Sequence, residues 1–285
     1  MILVHVEVER NTNNVTDNKI IKEAAYSVAS LINMKLIQNI SIIGSGNVAY
    51  HLGIALINSG KKINYVYARN KIEGNRLAEL LSANLTNELK SLSHSDLVLL
   101  CVPDDVIYEL IDNITCLNIA YTSGSVELKQ IKGKNIGVFY PLQTFRKSDA
   151  LEINKVPFFI EATNKTLENN LISLAKKISF NVSLITSEER KKYHLSAVFV
   201  NNFTNHLLYL GKKEAEKNGI DWKNLLPLLE ETFKKNLTSN PFDNQTGPAK
   251  RNDLNTIEKH LSMLDGKSKE IYKIITESIK TAYHD

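Results

Sequence analysis

Cysteine is scarce in this chain: only Cys101 and Cys116 occur among 285 residues. Both lie in or beside apolar, strand-like runs, which excludes a disulfide framework and a cysteine-built metal cluster. A reducing cytoplasm is the expected setting, and no metal site is expected. Long apolar runs are also missing. None approaches the roughly 20 residues that cross a bilayer, and Glu7, Glu9 and Arg10 stand where a signal peptide needs its apolar stretch. The expectation is a soluble protein with no membrane partner. Nor does one sign of charge prevail: 35 Lys and Arg face 31 Asp and Glu, a formal net charge of +4. The basic residues are scattered rather than banded, so no nucleic-acid partner is expected. There is no internal repeat and no low-complexity tract.

What the chain does have is length for two domains and an abrupt change of pattern. From Leu36 to Thr186, β-rich apolar runs alternate with amphipathic helical stretches, the order that builds a parallel sheet covered on both faces. The periodicity predicts strands at 37–43, 63–68, 96–102, 117–121, 136–140, 157–161 and 181–185. After Thr186 the strands stop. Thr186-Ser187-Glu188-Glu189 has the form of a capping box, so a long helix is expected from there toward Gly219. Further helices are expected near 222–237, 254–264 and 267–283, separated by a polar loop from Ser239 to Asn252.

The sharpest feature is "NISIIGSGNVAYHLGIALINSG", Asn39 to Gly60. An apolar strand ends in Gly44-Ser45-Gly46-Asn47-Val48-Ala49 and a helical pattern begins at once. Gly44 allows the tight turn, Gly46 lets backbone approach a diphosphate, and small Ala49 lets helix and strand pack closely. The unpaired amides at the helix start then face the phosphates. Strand, turn, helix and strand follow in the order the motif demands, so the turn reads as a dinucleotide cradle in a Rossmann-type domain. About twenty residues on, an NAD site places an acidic residue against the ribose. This chain has Ala68-Arg69-Asn70-Lys71 instead. Arg69 suits a 2′-phosphate, which points to NADP(H) over NAD(H); a solvated loop charge is the competing reading.

The whole is therefore α/β: a Rossmann-type doubly wound parallel sheet, 34–186, followed by an all-α substrate and dimerisation domain, 187–285. Residues 1–33 stand apart as a short strand, a polar loop and a short amphipathic helix. Two readings are open: a misassigned start ahead of Met34, or a genuine extension adding an edge strand.

In an open α/β sheet, ligands sit beyond the carboxyl ends of the strands. Three such ends carry candidates: Val102-Pro103 for the cofactor, with Asp105 as a cap for the next helix; Ser123 in "TSGS"; and Gln143 in "FYPLQTF". Ser123 and Gln143 are read either as substrate contacts or as turn chemistry. In "RKKYHLSAVFVNNFTNHLLYL", His194, Asn201 and Asn205 fall near one line at about 100° per residue. That face offers an acid/base candidate and two amides, or else a polar stripe. Lys250 and Arg251 in "QTGPAKRND" could hold a substrate carboxylate or phosphate, or serve as surface charge, and Asp253 suits the cap of the next helix.

With "IIGSGNVAYHL", "TSGS", "FYPLQTF", "HLSAVFVNNFTNHL" and "QTGPAKRNDLNTIEKHL" assembled, the chain resembles a bacterial family of short-subunit dehydrogenase-like proteins, in which a Rossmann domain precedes a helical domain of unknown function. It is more distantly similar to pyrroline-carboxylate reductase, the deazaflavin-dependent NADP oxidoreductases and the β-hydroxyacid dehydrogenases. The resemblance implies NADP(H) and a homodimer through the helical domain. It covers about 36–283 and leaves 1–33 outside. The lysine-x-x-x-asparagine pair of the β-hydroxyacid dehydrogenases has no clean counterpart; the nearest arrangement is His194 with Asn201 and Asn205.

The function expected is NADP(H)-dependent hydride transfer to or from a small polar substrate, with His194, Asn201 and Asn205 as catalytic candidates. A non-catalytic NADP(H)-binding regulator is the alternative.

Overall fold

The computed structural model describes residues 36–284, and the readings made for 1–33 lie outside them. Contacts divide the chain into two compact units, meeting in sequence at Ala197 and Val198.

The first unit is built on β1 (Asn39–Ile43), β2 (Lys62–Tyr67), β3 (Asn84–Thr86), β4 (Leu97–Leu100), β5 (Asn118–Tyr121), β6 (Asn135–Pro141), β7 (Phe158–Ala162) and β8 (Val182–Leu184). They form one sheet in the order β3-β2-β1-β4-β5-β6-β7-β8. The central strands read as unbroken apolar runs because helices cover both faces; all four residues of β4 are buried. Helices α1 (Asn47–Asn58), α2 (Lys71–Leu80) and α4 (Lys165–Ala175) pack on one face with Ile40, Ile42, Leu99 and Phe139. Helix α3 (Ile107–Asn113) packs on the other with Ile43, Val98, Leu100 and Ile119. The sheet is of the Rossmann type, and a helical region follows it.

Two departures from expectation have simple causes. β7 runs antiparallel to β6, so the sheet is not wholly parallel. A parallel return needs a crossover, usually a helix, and the segment from Leu142 to Pro157 contains only the single 3-10 turn Ile153–Lys155. It reverses the chain instead, and its Leu151, Ile153 and Val156 join the core where a crossover helix would sit. The edge strand β3 was not expected because it is three residues, Asn-Leu-Thr, largely exposed, with no apolar run to betray it.

Helix α5 (Ser187–Ala197) closes this unit, and the capping box at its start is formed. The Thr186 amide donates to Glu189 Oε2 at 2.7 Å, and the Glu189 amide donates to Thr186 Oγ1 at 3.2 Å.

The uninterrupted α-helix expected from Thr186 to Gly219 is not what forms. A π turn, Val198–Phe203, follows α5, and α6 (Thr204–Lys217) begins after it. The Thr204 hydroxyl donates to the Phe199 carbonyl five residues back, at 3.1 Å, which answers a carbonyl in the widened turn. Gly219 then takes the left-handed conformation with φ of 66°.

In the second unit α6 is followed by α7 (Leu226–Thr238), the one-turn α8 (Pro241–Asn244), α9 (Leu254–Met263) and α10 (Gly266–His284). Asp253 caps α9, accepting from the Thr256 amide at 3.1 Å. The short α8 lies in what was expected to be extended loop. Buried apolar side chains are few here among the described residues (Ala215, Ala249, Ile257), while Phe199, Val200, Leu228, Leu237, Met263 and Ile274 are exposed.

Candidate functional site

The glycine turn sits where the sheet reverses its order, between β2 and β4 on either side of β1. That is the switch point at which open α/β sheets take their ligands. Gly44 has φ of 113°, and a Cβ there would lie 2.2 Å from the Cys101 carbonyl oxygen. Only glycine fits, and the reason is the neighbouring strand rather than a ligand. Gly46 is different: a Cβ would meet nothing within 4 Å. Gly46 is the N-cap of α1, and no side chain caps that helix. Its first amides and the positive end of its dipole therefore lack a side-chain acceptor, the arrangement that suits a phosphate.

The turn opens on a cavity of about 460 Å³ lined by Gly44, Ser45 and Gly46, by Tyr67 to Asn70, and by Cys101, Val102 and Pro103, with Val106, Glu109 and Leu110 closing the far side. These residues fit a dinucleotide on this chain's own features: an uncapped helix start, room above Gly46, and a cation at the rim. Arg69 is exposed and makes no ion pair among the described residues. The Asn70 side chain is engaged locally, accepting from the amides of Ile72 and Glu73 as the cap of α2. Asn47, Val48 and Ala49 form the first turn of α1; Ala49 is buried in the core, so its smallness serves packing. Burial pushes the Cys101 thiol up to about 12. It stays a thiol, unsuited to nucleophilic work.

Beyond Pro103 the chain makes a 3-10 turn, Asp104–Val106, and Asp105 does not cap α3, whose N-cap is Val106 without a side-chain bond. Asp104 instead accepts a hydrogen bond from the Ser125 hydroxyl, which ties the "TSGS" turn to the segment after Pro103. Ser123 is buried, and its hydroxyl accepts from the amides of Ser125 and Val126. Gln143 is exposed and accepts from the Thr144 amide. Both side chains are engaged in turns.

His194 has one ring nitrogen engaged: its Nδ1 lies 3.0 Å from the hydroxyl of Tyr140, at the end of β6. The two rings meet edge to face with centroids 6.1 Å apart. Gly124 backs the pair, since a Cβ there would fall 2.7 Å from both His194 Nδ1 and the Tyr140 ring. Burial pushes the Tyr140 phenol up, with Asp104 adding to the rise and Arg190 opposing it.

The helix that carries His194 is fixed from beneath. Arg190 is fully buried, paired with Glu161 of β7, and donates to the Val126 carbonyl. It also reaches the Ser187 hydroxyl at 3.2 Å, and that hydroxyl donates to Glu161 at 2.8 Å.

The first unit thus gathers Gly44, Ser45, Gly46, Arg69, Asn70, Val102 and Pro103 around one cavity; His194 is not part of that lining and lies against Gly124, whose neighbour Ser125 bonds Asp104. Asn201 lies in the π turn and Asn205 beyond it, so the constant 100° per residue that aligned them with His194 does not hold across that stretch. Both belong to the second unit, as do Lys250, whose Nζ sits 4.9 Å above the Tyr283 ring, and Arg251, which is exposed. Among the described residues no cluster suited to a metal ion occurs, and no helix is long and apolar enough to cross a membrane.

Tyr140, Gly124, Asp104 and the Glu161–Arg190 pair were not singled out from the sequence. Tyr140 and Gly124 stand inside quoted motifs, but only the fold shows that they meet His194.

Comparison with known proteins agrees with this geometry. Residues 39–119 match the family profile "NADP oxidoreductase coenzyme F420-dependent", and residues 156–279 match a domain of unknown function, DUF2520. Among solved structures, a protein from Bacteroides fragilis provisionally named an NADP oxidoreductase is 34% identical, with 86% of this chain and 98% of that one covered and a TM-score of 0.81. This chain belongs to the same family. These NADP-oxidoreductase and DUF2520 matches, rather than a short-subunit dehydrogenase label, define it.

The fold is shared more widely. Pyrroline-5-carboxylate reductase from Streptococcus pyogenes is 14% identical with a TM-score of 0.56, over 85% of this chain and 98% of that one. A reductive aminase from Aspergillus terreus, in complex with NADPH and ethyl levulinate, is 12% identical with a TM-score of 0.63, over 87% and 94%. No curated protein matches the chain.

Proposed function

We propose that the protein is an NADP(H)-dependent oxidoreductase acting on a small polar substrate, with His194 as the proton-transfer group. One observation carries the reading: an uncapped helix start at Gly46, a position where folding does not require glycine, opening on a cavity whose rim holds Arg69, which makes no ion pair among the described residues. A bound nicotinamide supplies or takes the hydride. The chain's own residues do the rest. The α1 amides and Arg69 hold phosphates, Val102 and Pro103 wall the cavity, and His194 gives a proton to the atom left with negative charge when a C=O or C=N bond is reduced, or takes it in reverse. Asn201 and Asn205, with Lys250 and Arg251, are substrate-holding candidates of the helical domain.

The test is purified protein with NADPH and a panel of keto acids, aldehydes and imines. Turnover is expected on part of the panel, falling about 100-fold or more in His194→Ala, the usual scale of lost acid–base catalysis. Equal rates in the variant would remove His194 from the mechanism. Saturable NADPH binding without turnover on any substrate would favour the regulatory alternative.

The helical domain is proposed to form a homodimer. Its exposed Phe199, Val200, Leu228, Leu237, Met263 and Ile274, and an apolar hollow of about 360 Å³ between α6, α9 and α10, exceed what scattered surface residues explain. Sedimentation equilibrium is expected to give twice the 32.1 kDa chain mass; a monomer at high micromolar concentration would refute it.

A further inference from the structure

His194 has two ring nitrogens, and among the described residues only Nδ1 has a hydrogen-bond partner. Its Nδ1 is held by the Tyr140 hydroxyl at 3.0 Å. The same side of the ring is closed by Gly124, so near that a single added methyl would lie 2.7 Å from Nδ1. The hydrogen bond has two forms. Either the phenol donates to a bare Nδ1, leaving the ring proton on Nε2, or an Nδ1–H donates to the phenol oxygen, leaving Nε2 bare. A phenol is a better donor than a neutral imidazole N–H, and an imidazole nitrogen is a better acceptor than a phenol oxygen, so the first form is favoured. Burial keeps the phenol protonated and able to donate. Tyr140 is itself fixed: it is 8% exposed, and its ring packs on Phe159 of the neighbouring strand. The other polar groups of this corner are engaged elsewhere, Asp104 with Ser125 and Arg190 with Glu161.

We propose that Tyr140 is a positioning residue that holds neutral His194 in the Nε2–H form, so that the proton given to substrate leaves from Nε2. The consequence for the reaction rests on the oxidoreductase reading above. In the reducing direction the Nε2–H bond breaks as a new O–H or N–H bond forms on the substrate; the negative charge of the reduced substrate passes to the ring, where the phenol's hydrogen bond to Nδ1 stabilises it, and solvent then returns a proton to Nε2. Which nitrogen carries the proton is thereby settled by a residue 54 positions away in sequence.

The experiment is 15N-detected NMR of the full-length protein without nucleotide, at a pH where imidazoles are neutral. The His194 ring signals are assigned by their disappearance in His194→Gln. The wild type is expected to show a protonated Nε2 and a bare Nδ1. Tyr140→Phe, which keeps the ring and its packing, is expected to give averaged shifts from both tautomers. Gly124→Ala, whose added methyl would crowd Nδ1, the Tyr140 ring and its hydroxyl together and force the two side chains apart, is expected to give the same averaging. An Nδ1–H tautomer in the wild type, or an unchanged spectrum in Tyr140→Phe, overturns the proposal.

With a turned-over substrate, Tyr140→Phe is expected to lower kcat about 10-fold while KM changes less than about 2-fold, the pattern of a group that matters in the transition state. An unchanged kcat also overturns it. If no substrate is turned over by the wild type, the oxidoreductase reading fails, and the tautomer measurement still decides the role of Tyr140.

Discussion

Replacing Gly46 with aspartate is expected to abolish saturable NADPH binding while leaving the thermal unfolding of the nucleotide-free protein unchanged or slightly raised. The two halves have separate physical causes. For folding, a Cβ at position 46 meets nothing within 4 Å, and φ of −79° is ordinary for any residue. Position 46 is the N-cap of α1, where aspartate is at least as good as glycine, by a few tenths of a kcal/mol. For binding, the same carboxylate would accept hydrogen bonds from the amides meant for phosphate and set a negative charge beside it. Two like unit charges about 4 Å apart at an effective dielectric of about 20 repel by about 4 kcal/mol, close to a thousandfold in affinity. Calorimetric titration with NADPH and a melting curve on the same sample check both halves. Retained binding would remove the cradle, and with it the proposed activity. In the same titration Arg69→Ala is expected to weaken NADPH about 10-fold or more and leave NADH nearly unchanged, the difference being one charge-assisted contact to the 2′-phosphate. Parallel losses would make Arg69 a plain surface charge.

Replacing Arg190 with methionine is expected to destabilise the protein by about 3–5 kcal/mol, the usual result of removing one partner of a buried ion pair. Arg190 is fully buried and is held by Glu161, the Ser187 hydroxyl and the Val126 carbonyl. Without it, Glu161 keeps its charge with no cation to answer it, and a backbone carbonyl loses its donor. For a domain of this size each kcal/mol moves the midpoint by about 2–4 °C, so a fall of about 10 °C is expected by calorimetry. The double variant Glu161→Leu with Arg190→Met is expected to recover much of the loss, because an apolar pair needs no compensation. A single variant that melts within about 1 °C of the wild type would show that the pair contributes little. The loss matters for function because this pair fixes α5 to β7 and to the segment after "TSGS", and α5 carries His194. The Arg190 variant is therefore expected to lose turnover even at temperatures where it stays folded.

The two ends of the site differed in how far sequence alone could reveal them. The glycine turn was legible because every requirement is local: glycine where φ is 113°, an open position at Gly46 and a small residue at Ala49 all occur within six positions. The capping box at Thr186 and Glu189 and the cap at Asp253 were legible for the same reason. The surroundings of His194 were not. His194 stood out by residue type, but its apparent alignment with Asn201 and Asn205 assumed a regular α-helix, and a six-residue π turn intervenes. Its partner Tyr140 looked like one residue among several at a strand end. The antiparallel β7 was hidden because apolar strands look alike whichever way they run, and only the helix-free connection from Leu142 to Pro157 decides the direction.

Composition, periodicity and the glycine spacing by themselves determined the class of fold, the change from sheet to helices near Thr186, and the glycine turn that opens α1, because each depends on residues within a few positions of one another. Only the tertiary structure decided that Arg190 is buried against Glu161, that Gly124 makes room for two rings, and that His194 meets Tyr140. Those contacts join residues 16 to 70 positions apart, and no local spacing encodes which side chains the strand order will bring together.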